Sequence, residues 1–478
     1  MSDYRALFKH SRNYLFATVA TKALSFISIP VYTRLLSVED YGIVNVFSSY
    51  VGIVAILLTF STEAAIGRFY YDAKDIEEFK RFVGTSIRLT SSIILITSIV
   101  FVIFSAFLSS IMALPHKLTL CLIPVAIFNI TNSIFTQIYN PLLQSKRIAV
   151  VSSVQSYLSF ILSIVCICLL NSEKYYGYVY GSIIAMILLG GYMISQIKPY
   201  FKNCFNKEFV PYILKYCLPY VPDALSGIVL VHFSKIFIAN SQSFSIAGSY
   251  GFAVNVAALM GIVVQVTNSS WIPYFFRYMN DKDYRSIDND LNLIWRLTLL
   301  SAIALSLFGK DLAILLAKKE FLSDIGILPI LVTSYVFHQW AYFYLRGIGY
   351  SKRMIWNTYC YMFSGILLIV LNYLLTPLFL SLGAAIATLL SYASLFVFAW
   401  FINVFIIKHY TPPILASLIP FLFYLFFVVI TIWLLNIDLQ WWKEFLIKMS
   451  FFIVCLSVLI YPYFKRYKSL LIKLKHRN

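Results

Sequence analysis

Acidic residues are what this sequence has least of. Asp and Glu together number 20 in 478 residues, and all charged types make 12% of the chain, against about 25% in a soluble globular protein. That scarcity excludes a solvated surface large enough to wrap a soluble domain. Cysteine is sparse and badly spaced for ligation. The seven, at 121, 166, 168, 204, 217, 360 and 455, show no metal-ligand spacing, and Cys166 and Cys168 would point to different helix faces. Free, reduced thiols are expected, with no metal and no disulfide. The chain also lacks a Gly-rich phosphate loop, a nucleophile elbow, an HExxH pair and any long extramembrane loop. An enzyme reading therefore has no site, and no cofactor is expected. The basic segment MSDYRALFKHSRN is not followed by a small-residue cleavage pattern, so the first apolar run is expected to remain as an uncleaved signal-anchor.

What is abundant is apolar. Hydrophobic residues make 60% of the chain and aromatics 18%, with a mean hydropathy of +0.80. Runs of about 18 or more apolar residues, enough to cross about 30 Å of hydrocarbon at 1.5 Å per residue, recur from residue 13 to residue 464. They must be helices, because a bilayer offers no partner to an unpaired backbone N–H or C=O. The pattern predicts an all-α integral membrane protein with about fourteen transmembrane helices, the first over 13–33 and the last over 446–464.

The net charge of +18 would raise the question of nucleic acid in a soluble protein, but the placement of the cations answers it differently. With span-end residues counted in the adjoining segment, one set of connecting segments carries 26 Lys and Arg and the other 7. By the positive-inside rule both ends of the chain lie in the cytoplasm. Lys310, Lys318 and Lys319 in one outer segment are an exception that topology does not explain. The tail KRYKSLLIKLKHRN reads as a lipid-headgroup anchor.

Short stretches return at a nearly constant offset. KALSF at 22–26 returns as DALSG at 223–227, offset 201, and YG at 41 returns at 250, offset 209. RFYYD from Arg68 returns as RYMND from Arg277, offset 209, IRLT ending at Thr90 as WRLT ending at Thr298, offset 208, and SKR at 145–147 recurs at 351–353, offset 206. Five landmarks in one order argue for a six-span unit used twice. The expected organisation is an N-terminal lobe over 1–200, a C-terminal lobe over 211–410 and two extra helices with a basic tail over 411–478. An even number of spans per copy gives both lobes the same orientation, hence two pseudo-symmetric bundles around a central cavity.

Charges inside the spans are the candidate functional residues, since a cation at mid-span costs roughly 2.5–3.5 kcal/mol on insertion scales. Lys22, Arg88, Lys235 and Arg296 form an intramembrane excess of cations, whose natural complement is an anion such as phosphate, the alternative for Arg88, Lys235 and Arg296, near span ends, being to snorkel to the headgroups. Under the repeat, Lys22 corresponds to Asp223. The acids at membrane depth are Asp223, Glu63 and Asp311 near the outer end of its span. Asp223 and Glu63 are candidates for ion coupling, the alternatives being an ion pair of Asp223 with Lys22 and an interfacial bridge of Glu63 with Arg68. Pro30, Pro219 and Pro222 are expected to break the helix ladder of spans 1 and 7 and are hinge candidates. Trp271, Tyr335, Trp340 and Tyr342 fit either an interfacial belt or a cavity lining, Trp441 and Trp442 fit a belt, and His232 and His338 have no ligand spacing.

The stretches SFISIPVYTRLLSVEDYGIVNVF, LPYVPDALSG, SSWIPYFF, LRGIGYSKRM and LNYLLTPLFLSLGAAIATLLSY resemble, in order and spacing, bacterial polysaccharide repeat-unit flippases of the O-antigen and capsule type. These belong to the polysaccharide transporter branch of the multidrug/oligosaccharidyl-lipid/polysaccharide exporter superfamily. The resemblance implies a two-lobed fourteen-helix transporter in the bacterial inner membrane that moves an undecaprenyl-pyrophosphate-linked oligosaccharide from the cytoplasmic to the periplasmic leaflet, coupled to H+ or Na+. Membrane lipids, a polymerase and a chain-length regulator of the same pathway are the implied partners, and nucleic acid is not one. Two departures stand out: Ser234-Lys235 where relatives carry an Asp-Arg pair, and Asp223 where they carry His. The alternatives are a drug/ion antiporter of the multidrug and toxin extrusion type, which would favour an acidic or neutral cavity, and a membrane-embedded polymerase or acyltransferase, which would need a large outer loop.

Overall fold

The computed structural model describes residues 21, 23–201, 205–408, 410–435 and 440–475. Among these no strand occurs. In chain order the long helices are α1 (Ala23–Leu35), α2 (Val38–Thr59), α3 (Ile76–Ile103), α4 (His116–Tyr139), α5 (Ser145–Leu169), α6 (Tyr175–Ile197), α7 (Tyr220–Ser241), α8 (Phe244–Asp281), α9 (Tyr284–Leu316), α10 (Leu328–Tyr350), α11 (Ile355–Phe401), α12 (Ile414–Leu435) and α13 (Trp441–Lys475). They fall on the apolar runs of the sequence. Ten helical stretches among the described residues are long and apolar enough to cross a membrane, and the protein is a multi-pass membrane protein. One of the ten, Ile355–Ile407, holds two of the expected spans.

The few acids are used at helix starts. Ser37 Oγ accepts from the Asp40 N–H at 3.0 Å and the Asp40 carboxylate takes the Ser37 N–H, a capping box that opens α2. The Asp75 carboxylate accepts from the Glu78 N–H at 2.7 Å at the start of α3, and Asp283 accepts from the Ser286 N–H at 3.1 Å and its hydroxyl at 2.6 Å at the start of α9. Those two bonds hold the Asp283 carboxyl below the usual carboxylate range. Each acid meets the positive end of a helix dipole.

Breaks follow equally local chemistry. Within α11, Leu380 takes φ 51° and ψ −131° three residues after Pro377, and a Cβ at Gly383 would lie 2.2 Å from the Leu375 carbonyl oxygen, so the two spans fold back on each other there. The prolines meet the sequence expectation in part. Helix α1 continues unbroken through Pro30, while the apolar stretch Phe209–Ser241 is broken, a short helix Phe209–Cys217 ending before Pro219 caps α7 and Pro222 lies in its first turn. At a helix start the missing N–H would have had no partner, so the ladder stops ahead of these prolines and restarts on them.

Apolar side chains give helices no reason to associate in lipid, so close backbone approach at small residues has to supply the contact. On the α5–α6 hairpin, a Cβ at Gly177 would lie 2.6 Å from the Ile167 amide nitrogen, and one at Gly181 2.3 Å from that of Ser163. Ser163 Oγ donates to the Tyr178 carbonyl at 3.0 Å. Backbones therefore touch along two turns.

The chain forms two compact units, up to Gly248 and from Ser249 onward. The division falls later than the 200–211 expected from the repeat, because α7 packs on α2 within the first unit and the start of α8 crosses the start of α2. A Cβ at Gly42 would lie 2.0 Å from the Phe244 carbonyl oxygen, and one at Gly248 2.0 Å from that of Val38. The halves of the repeat and the compact units are thus different divisions of one chain. Helices α12 and α13, expected as an appendage, are built into the second unit: Trp295 Nε1 donates to the Ser417 carbonyl at 2.9 Å, and Thr333 and Tyr424 share a hydroxyl bond of 2.8 Å.

Gly181→Leu is expected to force the α5–α6 backbones apart and destabilise the protein by about 1–3 kcal/mol or more. A lowered unfolding temperature in detergent, with Gly227→Leu unchanged because no atom lies within 4 Å of that position, is the readout.

Candidate functional site

Some intramembrane charges find partners inside the protein. Lys448 Nζ lies 2.7 Å from Asp311 Oδ2 and 2.7 Å from Glu444 Oε1, with its side chain 2% exposed. The sequence reading placed Asp311 and Lys448 in spans without pairing them, since nothing in their spacing joins residues on two distant helices. Arg296, expected in the cavity, donates through Nη1 to the Leu459 carbonyl at 3.3 Å, tying α9 to α13. Arg88 lies on α3 with its guanidinium 6.0 Å from the Phe201 ring centroid.

The acids in the first unit separate. Asp223 sits half-buried in the first turn of α7. Lys22, its expected partner, lies outside the described residues. Glu63 occupies the 3-10 turn Thr62–Ala64 that follows Phe60 and Ser61, both in the left-handed region at φ 50° and 56°. It does not bridge to Arg68, which pairs with Asp72 at 3.1 Å on the far side of the short helix Ala65–Phe69. Glu63 Oε2 is buried with no hydrogen-bond partner among the described residues. The Thr62 and Thr90 hydroxyls beside it share a bond of 2.8 Å, and burial pushes the Glu63 carboxyl above the usual carboxylate range.

Two cations find no carboxylate. In the first unit a polar seam joins α2 and α7. Ser49 Oγ donates to the Asn45 carbonyl at 2.7 Å, which leaves its lone pair for His232 Nδ1–H at 3.0 Å. Asn240 Nδ2 donates to the Tyr50 hydroxyl at 3.4 Å. Lys235, one turn from His232, is 6% exposed, and among the described residues it has no ion-pair or hydrogen-bond partner.

In the second unit the corresponding feature is a stripe. Tyr335, His338, Tyr342 and Arg346 recur every three or four residues along one face of α10, all half-buried while the residues between them are mostly buried. The His338 ring centroid lies 4.5 Å from that of Tyr342 and 4.8 Å from that of Tyr392. The Arg346 guanidinium sits over Tyr342 at 5.2 Å, and its buried Nε has no hydrogen-bond partner among the described residues. Asn403 fixes this end of α10. Its Nδ2 donates to the Tyr344 carbonyl at 2.7 Å, its Oδ1 fills the space where a Gly347 Cβ would go, and it opens the π-helical turn Ile402–Ile407. Arg346, at the end of its expected span, was counted with the adjoining cytoplasmic segment and not as a candidate; the period joining it to Tyr335, His338 and Tyr342 was the available signal. Trp271 and Trp340, at 4% and 2% exposure, are core residues, neither belt nor lining. Trp442, at 53% exposure, suits the belt.

Comparison with known proteins narrows what such an arrangement serves. A family model described as polysaccharide biosynthesis protein matches residues 9–279. The chain belongs to that family. A curated relative is Lsg locus putative protein 1 of Haemophilus influenzae, 22% identical over 292 residues, which cover 58% of this chain and 67% of that protein. The solved structure of the lipid II flippase MurJ in an inward closed conformation matches with a TM-score of 0.73 at 17% identity, over 94% of this chain and 99% of that one. An inward-facing multidrug resistance MATE family transporter of the MOP superfamily matches with a TM-score of 0.61 at 15% identity, over 79% and 93%. At these identities the structures show a shared fold. Family and fold together make this chain a member of the polysaccharide biosynthesis protein family with a fold like those of the lipid II flippase and the MATE transporter.

Two outcomes are expected. Lys448→Met leaves Asp311 and Glu444 uncompensated and should cost about 3–5 kcal/mol of stability, whereas replacing all three by apolar residues should recover most of it; thermal unfolding of the single and triple variants reads the difference. A carboxyl whose pKa is raised on folding stabilises the fold only while protonated. The Glu63 contribution is therefore present below the ordinary carboxylate range and lost as pH climbs through its raised value. Glu63→Gln should flatten that fall in unfolding temperature, and a profile identical to wild type would show that Glu63 does not titrate in this way.

Proposed function

We propose that the protein carries an undecaprenyl-pyrophosphate-linked oligosaccharide repeat unit, of O-antigen or capsule, from the cytoplasmic to the periplasmic leaflet of the bacterial inner membrane, with both chain ends in the cytoplasm. The observation that carries this reading is that each unit holds a cation without a carboxylate partner among the described residues: the buried Lys235 in the first and the half-buried Arg346 in the second. A buried positive charge without an acid is held most economically by an anionic cargo, and a guanidinium offers pyrophosphate paired parallel hydrogen bonds. The aromatic faces of Tyr335, Tyr342 and Tyr392 beside Arg346 suit the C–H faces of sugar rings. Lys22, at the equivalent depth of span 1, belongs to the same set.

The prenyl tail stays in lipid throughout, so only the charged and sugar portions need a hydrated path. Asp223 or Glu63 supplies the coupling: protonation or Na+ binding at a partly desolvated carboxylate changes the local charge and biases the protein between inward- and outward-facing states. Arg88 lies at the cytoplasmic end of its span, where it attracts the anionic headgroup before loading, whereas Arg296, tied to the Leu459 carbonyl, serves the fold. Polymerase and chain-length regulator act on the delivered unit.

In a flippase-null strain given a defined repeat unit, Lys22→Ala, Lys235→Ala and Arg346→Ala should each abolish surface polysaccharide at unchanged protein level, and Arg346→Lys should restore only part of it, because an ammonium cannot reproduce the guanidinium fork. Full polysaccharide in all three alanine variants would reject the reading. Efflux of a cationic dye without polysaccharide would favour drug antiport instead.

A further inference from the structure

The first unit carries a cleft of about 770 Å³ whose lining the transport reading does not use, Arg88 beside its mouth being the one residue common to both. Its walls come from α3, α4 and α6. On α3 the lining positions Ile87, Ser91, Ile94 and Ser98 follow one helix face. The twelve residues from Ile87 to Ser98, eleven rises of 1.5 Å, span about 16 Å, which is half the roughly 30 Å of bilayer hydrocarbon. The cleft is therefore one leaflet deep.

Its chemistry is asymmetric. Lys198, at the end of α6, is the one charged side chain among the lining residues. At the same end Arg88 adjoins Ile87, with its guanidinium 6.0 Å from the ring of Phe201, which also lines the cleft. The remainder is apolar in effect. Thr90 shares its hydroxyl with Thr62 at 2.8 Å, Thr131 donates to the Ile127 carbonyl at 2.9 Å and Ser195 to the Tyr192 carbonyl at 2.6 Å, so these hydroxyls are engaged within the protein. Gly191 contributes open floor, with no atom within 4 Å of where its Cβ would stand.

We propose that this cleft is a binding site for an anionic phospholipid, one acyl chain lying along α3 and the phosphate headgroup meeting Lys198 and Arg88. The one-leaflet depth selects an acyl chain over a polyprenyl chain, which is several times longer than the cleft, and the two cations at one end select an anionic headgroup.

The test uses the full chain, purified in detergent, delipidated and titrated with phosphatidylglycerol or phosphatidylcholine of matched chains, with bound lipid counted by native mass spectrometry. One phosphatidylglycerol should bind in preference to phosphatidylcholine, and Lys198→Gln should weaken it about fivefold. Gly191→Leu, whose side chain fills the floor without touching the backbone of a neighbouring helix, should abolish binding at an unchanged unfolding temperature. Excess inorganic phosphate should not displace the lipid. Equal binding of the two lipids, binding unchanged in Gly191→Leu, displacement by inorganic phosphate, or preferential exchange for a polyprenyl phosphate would each overturn the assignment.

Discussion

A positive charge inside hydrocarbon has to be neutralised by a carboxylate, met by a backbone dipole, or held for a ligand. This constraint sorts the buried cations of the protein into kinds. Lys448 has two carboxylates at 2.7 Å. Arg296 has the Leu459 carbonyl. Lys235 and Arg346 have no carboxylate among the described residues, and with only 20 acids in the chain, several of them already at helix caps, few remain to serve. The functional reading follows from that remainder: the cations that the fold does not neutralise are those available to a cargo.

Holding such a cation in place requires rigid helices around it, and the fold supplies them by direct contact of backbones. Gly42, Gly177, Gly181 and Gly248 each sit where a Cβ would strike a neighbouring backbone atom, and Asn403 cross-links α10 to the π-helical turn next to Arg346. Because the hydrophobic effect gives no net attraction between helices in lipid, such contacts and the polar seam of Ser49 with His232 do for a membrane protein what an apolar core does for a soluble one. They also explain why α7 belongs with the first unit although the sequence led one to expect a new lobe to begin near there.

Much of this was legible in the sequence. The apolar runs anticipated the helices, since a bilayer permits little else, and the IPVYTRLLSVEDYG stretch anticipated the family. The breaks were partly legible: Pro377 and Gly383 mark the turn at Leu380, while Pro30, read as a breaker, is absorbed into α1. What the sequence did not reveal is which distant residues meet. The Lys448, Asp311 and Glu444 cluster joins α9 to α13 across more than a hundred residues, and no local period encodes that. Arg346 was legible in principle, since it shares a helical face with Tyr335, His338 and Tyr342, but as a span-end residue it counted with the adjoining cytoplasmic segment rather than among the intramembrane cations. The Glu63–Arg68 bridge failed for a local reason: the 3-10 turn at Thr62–Ala64 rotates Glu63 away from Arg68, whose partner is Asp72.

The claim that a lipid-linked anion is the natural partner of the unneutralised cations is tested most directly by transport in purified form. Proteoliposomes holding the protein and a labelled undecaprenyl-pyrophosphate oligosaccharide should move the label from one leaflet to the other, measured as label protected from an external enzyme, and the uncharged prenyl-alcohol analogue should stay where it is. Translocation of both at one rate, or of neither under an imposed proton or sodium gradient, would contradict the account.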